Sequence, residues 1–356
     1  MSVKIVIACG GTGGHIHPAL AVADGLRERG CEVALILSGT RSAEEATARS
    51  WRGALLKSGA RPIRDLRNML AFLRCRAFLK RERPAALFAT GGYTCVAPVL
   101  AARSLGIPVV LHEANSLAGD AVRWLSKHFK MAAVATSFEE TAAQLPWAKT
   151  RLTGLPLRKS VLEGLERARR ARPAEGGFSV LVTGGSQGAR GMNRFVAPIL
   201  AFLAQSDPKV RILHQCGSAD VAEMAAVYAA TPKQVSVVPF IEDMGTAYGQ
   251  ADLVIARAGA ATCFELARCA TPAIFIPLPT AAKDHQRRNA EALVRCGGAL
   301  CFDQTKSDPA QLAEAVRQIY SDPLLRKVMH EALEDLPRND ATAAVVDLIF
   351  EIVEKS

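Results

Sequence analysis

Cysteine pairs, long apolar runs and abundant aromatic residues are all missing from this chain of 356 residues. Its nine cysteines are scattered, with no Cys-x-x-Cys pair and no histidine–cysteine cluster at metal-ligand spacing. This excludes a disulfide framework and a zinc site of the usual pattern, and it favours reduced thiols in a cytoplasmic protein. No apolar run approaches the roughly 20 residues that cross a bilayer. Since the chain enters its first strand directly, we also expect no signal peptide.

The charge balance favours an anionic partner. Lysine and arginine number 44 and aspartate and glutamate 34, which gives a formal net charge of +10. Nucleic acid, acidic lipid and a phosphorylated substrate all fit such a charge. Aromatic residues make up only 6% of the chain, and they are not interleaved with basic residues in the way that base-stacking surfaces require. We therefore predict that nucleic acid is not a partner.

A glycine-rich loop near the amino terminus organises the first half of the chain. Gly10-Gly-Thr-Gly-Gly-His15 follows the apolar run Val3–Cys9 and leads to a helical pattern near Pro18, so we predict a strand, a tight turn and a helix. Glycines let a ligand approach the backbone, and a helix N-terminus attracts an anion. His15 is the only titratable side chain of the loop, and its ordinary pKa suits a general base. A purely structural histidine is the alternative.

A second loop of the same kind lies about half a chain later. Gly184-Gly-Ser-Gln-Gly-Ala189 follows the apolar run Phe178–Thr183, and strands then alternate with helical patterns as in a parallel, doubly wound sheet. The two loops predict two nucleotide-binding α/β halves with a ligand held between them. An NAD(P) site is disfavoured because the first loop lacks the G-x-G-x-x-G order and no acidic residue follows the second predicted strand.

Polar residues at the ends of later strands are further candidates. His112, Glu113 and Asn115 end the fourth predicted strand, where side chains usually face the ligand crevice of an α/β protein. For Glu113, an internal hydrogen-bond cluster that supports the loop is an equal alternative. Glu265 falls in the first turn of the helix expected after the run Ala251–Ala256. It is either a ribose acceptor or a residue that the helix dipole favours by itself.

A basic helix is predicted over residues 65–83, and its apolar residues fall into two sets. The set that we expect to face the core is Leu66, Met69, Leu70, Leu73 and Ala77. Phe72 and Leu79 fall on roughly the opposite side, with Phe78 on the flank. The helix is therefore either an ordinary surface helix or one that touches an anionic membrane, where each basic residue contributes about 1 kcal/mol.

The alternation of strands and helices relaxes at residues 154–177, which we interpret as a domain boundary. We predict an N-terminal domain over 1–155 and a C-terminal domain over 156–340. The last helix, within 341–356, is amphipathic and has no strand after it. We expect it to pack back on the N-terminal domain.

Short motifs run in order through both halves of the chain. They are Gly10-Gly-Thr-Gly-Gly-His15 with Pro18, Gly91-Gly-Tyr93, His112-Glu113-x-Asn115, Gly154-x-Pro156-x-Arg158, Gly184-Gly-Ser-Gln-Gly-Ala189, Phe240-Ile241-x-Asp243-Met244, Arg257-x-Gly259-Ala260-x-Thr262-x-x-Glu265 and Asp284-His285-Gln286-x-x-Asn289-Ala290. As a set they are highly specific. The chain resembles the MurG-type glycosyltransferases, which add N-acetylglucosamine to lipid I during peptidoglycan synthesis.

The resemblance implies a GT-B fold, in which two Rossmann-like, doubly wound α/β domains face an interdomain cleft. It implies inverting transfer of N-acetylglucosamine from UDP-N-acetylglucosamine to the 4-hydroxyl of the N-acetylmuramoyl unit of lipid I (undecaprenyl-pyrophosphoryl-MurNAc-pentapeptide), which yields lipid II. No cofactor is implied, and the lack of an Asp-x-Asp pair for a divalent ion agrees with a metal-independent site. The implied location is peripheral, at the cytoplasmic face of the inner membrane and on anionic lipids.

Roles carry over to this chain at the matching positions. The N-terminal domain would face the acceptor and the membrane, and the C-terminal domain would bind the UDP-sugar. His15 is the implied base or acceptor-orienting residue, with Glu113 as the other candidate, and Glu265 would bind the ribose. The implied donor contacts are Thr12, Gly13, Gly14, Asn115, Arg158, Ser186, Ile241, Ala260, Ala261, Thr262, Glu265 and Gln286. The acceptor side would include Tyr93 and His112, and the membrane contact Phe72, Phe78 and Leu79.

Three alternatives stay open at this point. A related transferase would use a nucleotide sugar with another lipid acceptor, such as diacylglycerol. A UDP-sugar 2-epimerase shares the fold but should carry more acidic catalytic residues than this chain offers. A non-catalytic, membrane-associated scaffold would release no UDP. Residues 41–62 depart from the family pattern, and we predict no structure for them.

Overall fold

The computed structural model describes residues 2–10, 13–38, 53–56, 66–171, 177–337 and 339–355. The chain divides into two compact units, one formed by Met1–Arg158 with Asn339–Ser356 and the other by Lys159–Arg338. Each unit is a parallel β-sheet with helices on both faces. This arrangement follows from the short apolar strands, which are buried on both sides and need helical crossovers to run parallel.

The first unit contains a sheet of seven described strands in the order β3-β2-β1-β4-β5-β6-β7. Its strands are β1 (Lys4–Gly10), β2 (Glu32–Ser38), β3 (Gly53–Leu56), β4 (Ala86–Ala89), β5 (Val109–Glu113), β6 (Ala133–Thr136) and β7 (Thr150–Leu152). Its helices are α1 (Gly13–Glu28), α2 (Leu66–Glu82), α3 (Val96–Ser104), α4 (Asp120–His128) and α5 (Glu139–Ala143). One buried apolar cluster fills each face of the sheet.

The second unit contains a sheet of six described strands in the order β10-β9-β8-β11-β12-β13. Its helices and strands, in chain order, are α6 (Lys159–Ala171), β8 (Ser179–Thr183), α7 (Arg190–Ser206), β9 (Arg211–Gln215), α8 (Val221–Val227), β10 (Val235–Val238), α9 (Met244–Gln250), β11 (Leu253–Ala256), α10 (Ala260–Cys269), β12 (Ala273–Phe275), α11 (His285–Arg295), β13 (Ala299–Cys301), α12 (Pro309–Ser321) and α13 (Pro323–Glu334). The first strand of this unit lies in the middle of its sheet, as a doubly wound fold requires.

The last helix, α14 (Ala341–Glu354), packs on α1 in the first unit. Gly25 permits the close approach, because a Cβ there would lie 2.9 Å from the Cγ2 atom of Thr342 and 3.2 Å from that of Val346. An ion pair between Arg29 and Asp347, 2.7 Å long, joins the two helices at the surface. The end of the chain is thereby part of the hydrophobic core of the first unit, in which Val346 is buried.

The face that α2 turns to the core differs from the predicted one. Met69 and Leu73 are 57% and 53% exposed, whereas Leu79 is fully buried and Phe78 nearly so. The buried positions recur at helical spacing: Ala71, Cys75, Phe78, Leu79 and Glu82. For the side chains that the structure describes, the predicted core stripe is therefore wrong, and so is the predicted membrane contact through Phe78 and Leu79. The small residues of the buried set allow α2 to pack closely on α3.

A buried charge pair fixes this rotation of α2. The carboxylate of Glu82 lies 3.3 Å from the Nζ atom of Lys4 at the start of β1, and its side chain is 6% exposed. Rotating the helix to bury Met69 would remove Glu82 from Lys4, which would then keep only its second partner, the half-exposed carboxylate of Glu32 at 3.4 Å. Phe72 is half-buried against the same cluster.

Candidate active site

His15 lies in the first turn of α1, and the structure holds its ring in one tautomer. The Nδ1 atom is 2.7 Å from the main-chain oxygen of Thr90 at the end of β4. Since a carbonyl oxygen can only accept, Nδ1 carries the proton and Nε2 is left with a lone pair. Nε2 lies beside Gly92, where a Cβ would be 3.2 Å away. Strands β1 and β4 are neighbours, so the sheet itself brings the histidine and the carbonyl together.

The glycine loop around His15 is described in part. Gly10 and Gly13 to His15 lie within the described residues, whereas Gly11 and the predicted donor residue Thr12 lie outside them. Gly13 and Gly14 are exposed at the beginning of α1. Exposed N–H groups at a helix N-terminus suit an anion, as the sequence predicts.

His17 was not predicted as a site residue, and the structure places it under the glycine loop. Its Nε2 atom would be 3.2 Å from a Cβ at Gly13. Burial, together with the nearby positive charge of Arg158, lowers the pKa of His17 to about 4. The ring is therefore neutral at neutral pH. Arg158, a predicted donor residue, is the last residue of the first segment of this unit and lies close enough to act on the charge of His17.

The Glu113 carboxylate is engaged on both oxygens. Oε1 accepts from the backbone N–H of Asn115 at 3.0 Å and from its side-chain Nδ2 at 3.2 Å, and Oε2 accepts from the N–H of Gly119 at 2.8 Å. The side chain is buried at the end of β5. These bonds tie the loop between β5 and α4 to the strand. The geometry favours the supporting role that the sequence left open over the role of a base.

We expect Glu113→Gln to lower the free energy of unfolding by about 1–3 kcal/mol, because the new NH₂ group would face N–H donors in a buried site. Urea denaturation with an unchanged m-value would measure this loss. Glu139→Gln, at an exposed position in α5, is the matched control and should leave stability unchanged. If Glu113→Gln were as stable as the wild type but inactive, Glu113 would again be the candidate base.

His112 does not reach the surface. Its ring is fully buried, and its Nε2 atom lies 3.3 Å from the main-chain oxygen of Gly154 and 3.3 Å from the Oγ atom of Ser137. Burial lowers the pKa of His112 to about 4, so the ring is neutral. The predicted acceptor contact by this ring is therefore corrected to an internal link between β5 and residue 154. Tyr93, in the short 3-10 helix after β4, is half-exposed, and its acceptor contact stays a prediction.

In the second unit, the second glycine-rich loop joins β8 to the 17-residue helix α7. Ser186 is exposed at the tip of the loop. Gly188 has a φ of +74°, and a Cβ there would overlap the carbonyl oxygen of Cys216. Only glycine fits this position. The loop thus presents exposed backbone and a hydroxyl at the start of a long helix, an arrangement that suits a phosphate group.

Glu265 is buried in the second turn of α10, not in the first turn as expected. It is 5% exposed, and the hydroxyl of Tyr248 donates to its Oε2 atom at 3.1 Å. Because α10 begins at Ala260, the attraction of the helix N-terminus is too weak there to explain a buried carboxylate by itself. Of the predicted neighbours, Ala260 is buried, and Ala261 and Thr262 are half-buried on the first turn.

Two further predicted donor residues of the second unit are Gln286, in the first turn of α11, and Ile241, in the loop after β10. Gln286 accepts from the backbone N–H of Leu278 through Oε1 at 2.8 Å. Ile241 follows β10 and is half-buried. Arg257, which was not predicted to act in the site, holds the neighbouring loop by donating to the main-chain oxygens of Ile276 and Pro277 at 2.9 and 2.8 Å. Burial lowers its pKa to about 10.

Across the described ranges, no cluster of three or more histidine, cysteine, aspartate or glutamate side chains is arranged to hold a metal ion. In the same part of the chain, no helix is both long and apolar enough to cross a membrane.

Known proteins match this chain over both units. Residues 5–134 match the glycosyltransferase family 28 N-terminal domain, and residues 179–345 match the glycosyltransferase family 28 C-terminal domain. The chain is 36% identical to a protein of Geobacter sulfurreducens, over 97% of both chains, and 38% identical to one of Methylococcus capsulatus, over 99% of both. Both are named UDP-N-acetylglucosamine–N-acetylmuramyl-(pentapeptide) pyrophosphoryl-undecaprenol N-acetylglucosamine transferase.

A solved structure gives the same result. The crystal structure of MurG from Acinetobacter baumannii is 31% identical in sequence and superposes with a TM-score of 0.79, covering 99% of this chain and 100% of that one. The predicted GT-B architecture of two Rossmann-like α/β domains is thus confirmed. The chain belongs to glycosyltransferase family 28 and, within it, to the MurG-type glycosyltransferases.

Proposed function

We propose that this protein is an inverting N-acetylglucosaminyltransferase that transfers N-acetylglucosamine from UDP-N-acetylglucosamine to the 4-hydroxyl of the N-acetylmuramoyl unit of lipid I. The product is lipid II for peptidoglycan synthesis. The observation that carries the proposal is the similarity at 36–38% identity, over 97–99% of the chain, to relatives named for this reaction. The family motifs also lie where each fold unit needs polar and backbone groups, at the carboxyl ends of its strands.

In this proposal, the second unit binds the donor. The exposed Ser186 and the N-terminus of α7 accept the diphosphate, and the Glu265 carboxylate accepts the ribose hydroxyls. Gln286 orients the donor, and Ile241 lies against the base. Stabilisation of the departing UDP by backbone dipoles requires no metal ion. The donor residues of the first unit, Thr12, Gly13, Gly14, Asn115 and Arg158, are proposed from their motifs alone.

The first unit provides the base and the acceptor side. An inverting displacement needs a group that takes the proton of the attacking hydroxyl. The Nε2 lone pair of His15 suits this task because Nδ1 is fixed as a donor to the carbonyl oxygen of Thr90. The half-exposed Tyr93 supports an acceptor position nearby.

The proposal is tested by UDP release from UDP-N-acetylglucosamine, with and without a short-chain lipid I analogue. We expect release that depends on the analogue, with a disaccharide lipid as product. Release with diacylglycerol instead would indicate a transferase for another lipid. Conversion of UDP-N-acetylglucosamine without any acceptor would indicate an epimerase, and donor binding without turnover would indicate a binding protein.

We further propose that the protein binds the cytoplasmic face of the inner membrane, on anionic lipids, through the exposed face of α2. This face replaces the one predicted from the sequence. Met69, Leu70 and Leu73 are exposed there, and Arg76 and Lys80 lie on the same side at helical spacing. Apolar side chains surrounded by basic ones are typical of interfacial helices that lie on anionic lipid.

We expect Met69→Ser with Leu73→Ser to weaken co-sedimentation with anionic liposomes by about tenfold or more, since two apolar side chains no longer enter the interface. Stability should be unchanged, because both side chains are more than half exposed. Phe202→Ser, which alters a 73% exposed aromatic residue of the second unit, is the matched control. Equal liposome binding by the double variant and the wild type would contradict the proposed contact.

A further inference from the structure

Asp220 is a buried carboxylate outside the proposed donor contacts. It is 3% exposed and stands at the N-cap position of α8. Its side chain accepts no hydrogen bond from the N–H groups of that helix, although aspartate usually does so at this position. Instead, Oδ1 accepts from the Nε atom of Arg190 at 2.8 Å and Oδ2 from the Nδ2 atom of Asn193 at 2.9 Å. The carboxylate is therefore directed to the first turn of α7.

A chain of buried hydrogen bonds fixes this arrangement. The hydroxyl of Tyr228 lies 3.0 Å from the Nδ1 atom of His214, and the Nε2 atom of that ring lies 3.2 Å from the Oδ1 atom of Asn193. Burial lowers the pKa of His214 to about 4, so the ring is neutral. The NH₂ group of Asn193 donates to Asp220 and to the carbonyl oxygen of Cys216, so its Oδ1 atom accepts from the Nε2–H group of the His214 ring. The hydrogen bond from Arg190 keeps the pKa of Asp220 below its ordinary value.

The segment 216–220, which ends at Asp220, also supports the glycine-rich loop 184–189. A Cβ at Gly188 would overlap the Cys216 carbonyl, and a Cβ at Gly217 would overlap that of Gln187. The end of the loop thus rests on residues 216–217, while Asp220 holds the first turn of α7 against the same segment. The directions of the exposed N–H groups depend on both supports. An anion site made of backbone groups needs such support to keep its geometry.

We propose that Asp220 is a positioning residue for the loop 184–189, which holds the diphosphate of the donor; this inference rests on the proposed function. Asp220 does not touch the ligand. It acts through Arg190 and Asn193, which fix the start of α7 relative to the loop.

Asp220→Asn tests this role through two ligands that differ only in the diphosphate. We expect the variant to bind UDP about tenfold more weakly than the wild type, a loss equivalent to one charge-assisted hydrogen bond. Uridine binding should be unchanged, because the proposed base and ribose contacts lie elsewhere in the unit. The KM for UDP-N-acetylglucosamine should rise while kcat changes less. Calorimetric titration with both ligands measures the ratio of the two affinities.

Glu223→Gln is the matched control. Glu223 accepts from Arg194 at 2.7 and 3.1 Å and joins the same two helices, α7 and α8, but this ion pair is exposed. The substitution removes the same charge and should leave both affinities unchanged. Arg190→Gln removes the same hydrogen bond by changing its exposed donor, which provides a second variant if Asp220→Asn does not fold. The double variant of Asp220→Asn and Arg190→Gln should lose no more UDP affinity than either single variant.

Two results would overturn the proposal. Tighter UDP binding by Asp220→Asn would mean that Asp220 keeps Arg190 away from the phosphates. An equal loss of UDP and uridine affinity would mean a general structural defect. A wild-type protein that binds neither ligand would instead count against the proposed function, so the two failures are distinguishable.

Discussion

Replacing His15 with alanine is expected to reduce lipid I-dependent UDP release by about 10²–10⁴-fold, the usual contribution of a general base. The reason is the fixed tautomer of the ring. Nδ1 donates to the carbonyl oxygen of Thr90 at 2.7 Å, so Nε2 is the nitrogen that can take a proton. UDP binding should change little, because Ser186, Ile241 and Glu265, the residues proposed to contact the diphosphate, base and ribose, lie in the second unit. Measuring the rate of UDP release, and the affinity for UDP separately, distinguishes an effect on the transfer from an effect on binding.

His128→Ala is the matched control for this prediction. The Nδ1 atom of His128 lies 2.9 Å from the carbonyl oxygen of Trp124, so its ring also makes a main-chain hydrogen bond, but it is exposed on α4. We expect this variant to keep wild-type activity. Release that persists at the wild-type rate in His15→Ala would contradict the proposed base and would direct the next test to Glu113→Gln.

The second large effect is expected at Glu265. In the proposed donor site, this buried carboxylate, whose Oε2 atom accepts from the hydroxyl of Tyr248, would accept both ribose hydroxyls. Replacing it with glutamine should weaken UDP binding by about 10- to 100-fold, as expected for hydrogen bonds to a charged acceptor. The wild type should also prefer UDP to 2′-deoxy-UDP, because the deoxy compound lacks one donor, and Glu265→Gln should lose most of this preference.

Tyr248→Phe separates the orientation of the carboxylate from its charge. It removes only the hydroxyl that donates to Glu265, and we expect a loss of UDP affinity several times smaller than that of Glu265→Gln. The preference for UDP over the deoxy compound should persist in this variant. Equal binding of UDP and 2′-deoxy-UDP by the wild type would contradict the assignment of Glu265 to the ribose.

Local patterns were sufficient to predict the strand–loop–helix units. The apolar run 178–183 and the glycines after it correspond to β8 and the loop before α7, and the run before His15 corresponds to β1. Such units are set by residues close together in the chain, where strand propensity, glycine and helix start all agree. The family motifs fall at the ends of these units, which is why the fold and the class of reaction were predictable.

The orientation of α2 was not predictable in the same way. Its apolar residues occur on nearly all sides, so the helical period allows more than one buried face. The packing of α2 on α3 and the pairing of Glu82 with Lys4 select the face that buries Leu79. Helix α3 and Lys4 both lie outside the segment 66–82, so the sequence of α2 alone does not show which of its faces they contact.

The two α/β units and the glycine-rich loops could be read from the sequence, because they depend on local propensity and hydrophobic period. The role of each polar group depends on the tertiary structure. That structure engaged both oxygens of Glu113, buried the ring of His112, fixed the tautomer of His15 and turned Asp220 away from its own helix. The role of a hydrogen-bonding group depends on its partners, and these partners lie on strands and helices that meet only when the sheets form.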